Sequence, residues 1–423
     1  MSQPATESAS ESAIKPAPAH EPAEGPSTRQ AANAMLLSVS FAHLLNDAMQ
    51  NSVPAVFPIF QTSLQLSYAE IGWIAFTLNV TASILQPLIG TYTDRWPMPI
   101  LLPLGMAFTL LGMVGLALSP GLAMLLVSAA LIGIGSSVLH PESSRVAHMA
   151  AGKGRGLAQS VFQVGGNTGQ ALAPLMVAFI ITPLGMHGFL WFTLLALAGI
   201  LIQWRVAKWY RVQSRQRSAG GNGVRATPNS GSTFSRGFVL FVMAILVLLL
   251  FSKFVYLASM TGYYSFYFME KYHLSLERAQ VSLFALQFAG MAGTLLGGPL
   301  ADRFGRKKII WFSIFGTAPF ALLLPYAGPI GSVALCLAVG AILMSGFSVI
   351  IVYAQEMLPG RVGMIAGLFF GLSFGLSGLG SVVLGSLIDQ TGVEFVIKAS
   401  AFLPLLGVLA FLLPKDSRIM GGR

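Results

Sequence analysis

One apolar segment carries a stripe of residues that can do chemistry. His43, Asn46, Asp47, Gln50 and Asn51 stand at i, i+3, i+4, i+7 and i+8. At 3.6 residues per turn this spacing predicts one polar face on a helix that is apolar elsewhere. Asp47 lies about twelve residues, or roughly 18 Å, beyond the start of the run near Met35. A charge at that depth in a bilayer costs roughly 2.5–3.5 kcal/mol, so the face implies a water-filled cavity. An aspartate beside an imidazole can exchange a proton as its surroundings alternate, which makes Asp47 and His43 candidates for proton coupling. The structural alternative is that the two only hydrogen-bond each other or a neighbouring helix.

Two further segments carry charge where none is expected. His140-Pro141-Glu142 and Arg145 fall in one apolar run. Glu142 and Arg145, at i and i+3, can pair on one face, and Pro141 predicts a kink because it clashes with the carbonyl four residues earlier. His140 is a cavity candidate, and Glu142 is read equally well as a structural ion pair or a proton relay. The His-x-Glu spacing has no paired cysteines after it, so no metal site is expected. Lys253 sits inside another apolar run, followed by Tyr256, Met260, Tyr263, Tyr264 and Tyr267. A desolvated ammonium with phenol hydroxyls nearby suits a phosphonate or carboxylate; alternatively the lysine is neutralised by Asp47 or Glu142. Asn46, Gln50, Gln163, Asn167 and Gln287 complete a candidate substrate set with Lys253 and Tyr256, although each amide alone also fits helix-to-helix hydrogen bonding.

The elements that must hold these groups are transmembrane helices. The 423 residues are 54% hydrophobic and only 9% charged, against about a quarter charged in soluble proteins. Apolar runs of spanning length recur, approximately at 35–60, 68–92, 99–119, 121–149, 156–182, 188–207, 237–268, 278–300, 308–327, 331–354, 362–388 and 395–413. Twelve spans use up the chain and leave no room for a sizeable soluble domain. The formal charge of +10 concentrates in alternate loops and at the carboxyl end, which puts both termini in the cytoplasm. No basic globular face exists for nucleic acid, and the surplus can touch anionic lipid. Cys336 lies in an apolar run and reads as packing. Residues 1–34, rich in Ala, Pro, Ser and Glu, read as a disordered cytoplasmic tail without the basic start and short apolar core of a signal peptide.

The second half repeats the first. Gly90-Thr91-Tyr92-Thr93-Asp94-Arg95 returns as Gly298-Pro299-Leu300-Ala301-Asp302-Arg303, and the same offset aligns Phe76 with Phe284 and Asn79 with Gln287. The division is then an N-terminal six-helix bundle at 35–207, a cytoplasmic linker at 208–236, a C-terminal bundle at 237–414 and a cytoplasmic tail at 415–423. Such repeats place substrate at their interface and work by rocking. No Gly-rich loop with Lys-Ser/Thr is present for a nucleotide. Glycines recur in two spans: 156, 165 and 169 in one, and 363, 367, 371 and 375 in another. Spacing of this kind lets backbones pack closely, and it would also suit helices that slide.

Gly-Pro-Leu-Ala-Asp-Arg-Phe-Gly-Arg-Lys-Lys, residues 298–308, resembles the loop motif of the major facilitator superfamily. The first copy departs from it after Arg95, where Trp96-Pro97-Met98-Pro99 replaces the second glycine and the basic cluster. The span with Gly165 and Gly169 resembles that superfamily's antiporter motif, with Gln170 where Pro is expected. Ser40–Asp47, Asp94–Pro99, His140–Arg145 and Val352–Arg361 resemble the bacterial fosmidomycin resistance proteins. That resemblance covers about residues 36–415. It implies proton-driven export of an anionic phosphonate antibiotic across the inner membrane.

The expected protein is an all-α integral membrane transporter: twelve transmembrane helices in two pseudo-symmetric six-helix bundles. It is expected to be a monomer in the bacterial cytoplasmic membrane, with a small anionic substrate, protons and lipid as partners, and with no cofactor, metal or nucleic acid. Asp94, Arg95, Arg145, Asp302, Arg303, Arg306, Glu356 and Arg361 are the expected cytoplasmic gate. Asp94 and Asp302 are expected to meet the N-terminal ends of facing helices, near Gly363 and Gly156, when the inside is closed. An enzyme on this scaffold lacks a nucleophile paired with a base. A proton-driven importer of a small organic anion is the other reading of the same cavity.

Overall fold

The structure, a computed structural model, describes residues 26–150, 155–219, 234–358 and 362–416. Helices α1 (Pro26–Ala55) and α2 (Phe57–Leu64) make the first crossing, and α3 (Tyr68–Arg95), α4 (Leu101–Ala117) and α5 (Leu122–Ala150) the next three. Helix α6 (Arg155–Met176) continues through a π-helical turn, Val177–Ile181, into α7 (Thr182–Leu184), and α8 (Phe189–Ala219) returns. The second half holds α9 (Arg236–Tyr272), α10 (Leu276–Phe304), α11 (Arg306–Phe315), α12 (Ala318–Leu323), α13 (Pro329–Met344), α14 (Phe347–Met357), α15 (Val362–Thr391) and α16 (Val393–Ser400). The last crossing finishes as a 3₁₀ segment, Leu403–Leu412.

Paired end to end, these helices give twelve crossings. Among the described residues, nine helical runs are long and apolar enough to span a bilayer by themselves. One of them, Ser160–Gln216, is 57 residues long and folds back on itself around Gly185, so it supplies two crossings. Helix α4, with 17 residues, is at the short limit, and α1 owes its lower hydropathy to its polar stripe. Local chemistry sets the ends. Ser67 and Glu70 form a reciprocal capping box at the start of α3. Gly392, at φ +86°, turns the chain between α15 and α16 where a side chain would be strained. Helix α5 runs on through Pro141.

Two expected boundaries move. Helix α1 begins at Pro26, inside the stretch read as a disordered tail. Proline at the first helical position followed by Arg, Gln and Ala favours helix, and an attached apolar helix removes the cost of nucleation. The same reasoning carries α8 to Ala219, through the front of the expected linker, where Lys, Arg and Gln are good helix formers. Its remaining residues, 220–233, lie outside the described ones.

In the first half α1 packs on α6, and α4 packs on α5 and α8; in the second, α10 packs on α13. The halves meet where α3 lies on α15 and α6 on α10. One continuous apolar core, including Met49, Phe57, Leu78, Tyr256 and Leu286, crosses that junction.

Candidate functional site

The stripe on α1 meets α5 at a cluster of three ionisable groups. His43 Nε2 lies 3.3 Å from Asp47 Oδ2, and His140 Nε2 lies 3.7 Å from Asp47 Oδ1. The two imidazole Nε2 atoms are 3.3 Å apart. Both rings are fixed from behind. His43 Nδ1–H donates to the Phe162 carbonyl of α6 at 2.9 Å, and His140 Nδ1–H donates to the Ser136 carbonyl at 2.9 Å. A carbonyl can only accept, so in each neutral ring Nδ1 carries the hydrogen and Nε2 presents a lone pair. His43 also stacks on Phe162, with ring centres 4.2 Å apart. It is 1% exposed, whereas Asp47 and His140 keep 16% and 21% of their side chains accessible. Water can therefore reach the cluster through Asp47 and His140 but not through His43.

The polar row continues toward the junction of the halves. Asn46 donates to Asp47 Oδ1 at 3.1 Å, and Asn51 donates to the Asp47 carbonyl at 2.8 Å. Gln170 on α6 reaches Asn51 Oδ1 at 3.3 Å and lines a cavity between α6 and helices α9, α10 and α13. That cavity is small, about 20 Å³, and Asn167, Gln287, Met291 and Thr294 share its wall. Buried Asn46 Oδ1, Gln50 Oε1 and Asn167 Nδ2 have no hydrogen-bond partner among the described residues. Asn167 and Gln287 thus come together as expected. Gln163, one turn earlier on α6, is half-buried and not part of the lining.

Lys253 lies in the second half. It is fully buried, donates from Nζ to the Leu343 carbonyl at 2.8 Å, and lies over the rings of Phe254 and Phe347. Leu343 is near the break between α13 and α14, where a helix gives up its own hydrogen bonds. The ammonium fills that gap. Among the described residues it pairs with neither Asp47 nor Glu142; its acceptor, Leu343, is a residue that lines the cavity wall. Tyr256 is likewise buried, and its hydroxyl has no hydrogen-bond partner among the described residues.

Glu142 is also parted from the cluster. It stands two residues from His140, on another side of α5, fully buried and 3.3 Å from Arg145. Arg145 clamps the first copy of the repeated motif: its guanidinium donates to the Thr93 carbonyl at 2.6 Å, to Thr93 Oγ1 at 3.1 Å and to Tyr210 at 3.1 Å. The second copy is held differently. Lys307 donates from Nζ to the carbonyls of Phe411 and Leu413, and its backbone N–H donates to Asp416 Oδ1 at 3.2 Å. Arg306 pairs with Glu356 across α11 and α14. Asp302 and Arg303 are exposed at the end of α10. Arg361 and the side chains of Asp94 and Arg95 lie outside the described residues, so the expected contact of Asp94 near Gly363 does too.

Among the described residues, the contact between halves is tight at the end that holds Asp389. Asp389 Oδ1 and Oδ2 accept from the backbone N–H groups of Tyr68 and Ala69 at 2.9 and 2.8 Å, capping the start of α3 from across the junction. Tyr68 donates to Glu270 of α9; next to it, within the second half, Lys271 pairs with Glu394 at 3.2 Å. A methyl group added at Gly385 would overlap the Tyr68 carbonyl. At Gly378 it would stand 3.3 Å from Asn79, and at Gly371 and Gly375 it would be 3.6 and 3.9 Å from Ser83. Beyond that the helices part around a cleft between Ser83 and Pro87 on one wall and Leu368, Leu372 and Leu376 on the other. No local pattern announces this latch, because Asp389 and Tyr68 are 321 positions apart.

Two halves of six crossings, latched at one end of their junction, match known proteins. Residues 39–378 match the sequence profile described as the Major Facilitator Superfamily. The chain belongs to that superfamily. The fosmidomycin resistance protein of Escherichia coli (strain K12) is 48% identical over 382 residues, covering 90% of this chain and 93% of that protein. The uncharacterized MFS-type transporter YfnC of Bacillus subtilis (strain 168) is 44% identical over 387 residues, covering 91% and 94%. Among solved structures, a bacterial homolog of the human lysosomal transporter Spinster, inward-facing and occupied, superposes with a TM-score of 0.71 at 17% identity, covering 92% of this chain and 98% of that one. The xylose transporter XylE of E. coli, partially occluded and inward open, gives 0.68 at 15%, covering 90% and 98%. This major facilitator protein is therefore a multi-pass membrane transporter, with twelve helices in two pseudo-symmetric six-helix bundles, and not an enzyme.

Proposed function

We propose that this transporter exports a small anionic antibiotic of the fosmidomycin kind in exchange for protons, across a bacterial cytoplasmic membrane with both termini inside. The observation that carries the coupling is the convergence of three acceptors. Two Nε2 lone pairs and a carboxylate lie within 3.7 Å of one another, and such an arrangement is repulsive until a cation enters it. A proton shared by His43, His140 and Asp47 answers that need. Reachability through Asp47 and His140 suits a site whose access alternates with the rocking of the bundles.

Cargo enters between α6 and α10, where Asn167, Gln170 and Gln287 offer hydrogen bonds without a fixed charge. Asp389 closes the outer end, and the exposed Asp302 matches an inner end that is open. The 48% identity to the E. coli fosmidomycin resistance protein supports the cargo class and the outward direction.

The test is transport in proteoliposomes under an imposed pH gradient. Asp47→Asn is expected to abolish gradient-driven fosmidomycin movement while leaving folding and exchange at equal pH intact. Undiminished gradient-driven movement in that variant overturns the coupling. Unchanged fosmidomycin sensitivity of cells with and without the protein overturns the cargo.

A further inference from the structure

The cluster of His43, Asp47 and His140 has a second property that proton exchange does not require. In a tetrahedral zinc site the ligand atoms stand about 2.0–2.1 Å from the metal, which separates neighbouring ligands by about 3.3 Å. His43 Nε2 is 3.3 Å from His140 Nε2 and 3.3 Å from Asp47 Oδ2; only the His140 to Asp47 edge, at 3.7 Å, is longer. The three side chains therefore already stand on one face of such a tetrahedron.

Their surroundings agree. A metal-binding imidazole typically donates its other N–H to a carbonyl or carboxylate, which fixes the tautomer and aims the lone pair. Both rings do this here, His43 to Phe162 and His140 to Ser136. The groups facing the cluster are Asn46 on α1, Ser136 on α5 and Phe162 on α6, with Gly166 of α6 against the His43 ring. None of these brings a competing positive charge. The partial exposure of Asp47 and His140 gives an entry path and leaves a fourth position for water.

We infer that His43, Asp47 and His140 form a binding site for a divalent transition-metal ion such as Zn²⁺, with both imidazoles bound through Nε2. The ion is an external ligand that occupies the place of the coupling proton, and not a resident cofactor. Binding follows from the geometry alone; the inhibition of transport that should accompany it rests on the proton reading proposed above.

The experiment uses purified full-length protein freed of any affinity tag, with Zn²⁺ binding measured by equilibrium dialysis and Co²⁺ as a spectroscopic probe. One ion per chain is expected, with the intense visible absorption of tetrahedral Co²⁺. His140→Gln and Asp47→Asn should each weaken binding by more than about 100-fold, beyond the 10–100-fold typical of losing a supporting group. A variant of the exposed His187 or His273 should bind as the parent does. Melting curves of the variants establish that they fold. Absence of the Co²⁺ spectrum in the parent protein, or parental Zn²⁺ affinity in folded His140→Gln, overturns the inference. Zn²⁺ that binds with this dependence but leaves transport untouched upholds the metal site and counts against the proton reading.

Discussion

Two rows of small residues, one on α6 and one on α15, look alike in the sequence and do opposite things. On α6, a methyl group at Gly165 would overlap the Ser40 carbonyl, and one at Gly169 would overlap the Leu44 carbonyl. Ser40 adds a hydrogen bond to the Val161 carbonyl at 2.7 Å. Backbone lies on backbone at both positions, inside one bundle. On α15 the glycines face the other bundle with more room, from overlap at Gly385 through 3.3 Å at Gly378 to 3.9 and 3.6 Å at Gly375 and Gly371. The first row is a weld, and the second leaves room against the facing bundle. Periodicity reveals that two helices can approach; the gradient of the approach reveals whether they are meant to part.

The comparison can be broken in order of expected effect. Gly165→Leu drives a side chain into the α1 backbone at the weld, and overpacking of this severity should cost about 3 kcal/mol or more. Its melting temperature in detergent should fall steeply, and a melt like that of the parent would show that the row is not a weld. Asp389→Ala removes two charge-assisted hydrogen bonds from the latch, worth about 1.5–3 kcal/mol each to the closed end. Spin labels near Tyr68 and Thr391 should then report a longer, broader distance distribution, with the melt little changed; an unaltered distribution would exclude the latch. Gly371→Ala should leave stability within about 0.5 kcal/mol, since the space is open. It should slow transport if this face closes in the other state, and an unchanged transport rate would mean that the cleft never narrows there.

Much of this was legible in the chain. Apolar runs of spanning length located the crossings, the spacing of His43 and Asp47 located the polar face, and the repeated Gly-to-Asp-Arg motif exposed the two halves. His140 was legible as a cavity residue but not as a neighbour of His43, because helix packing decides which turns of α1 and α5 face each other. The partner of Lys253, the Leu343 carbonyl, was not legible. A buried ammonium needs acceptors, and a sequence displays carboxylates while hiding carbonyls released at a helix break. Gln170, Met291 and Thr294 were missed because single polar or soft residues in an apolar span carry no period. The ends of α1 and α8 overran their apolar runs because helix, once started, continues through Arg, Lys, Gln and Ala.

The unequal anchors of the two repeated motifs also set an order of assembly. Arg145 closes on Thr93 over 52 positions of chain, whereas Lys307 must wait for Leu413, 106 positions on. During synthesis the first bundle can complete its corner while the second is still on the ribosome, in keeping with domains folding in turn from the N-terminus. The second corner closes only after the last crossing has been inserted, so premature termination there would leave a finished first bundle beside an unfastened second.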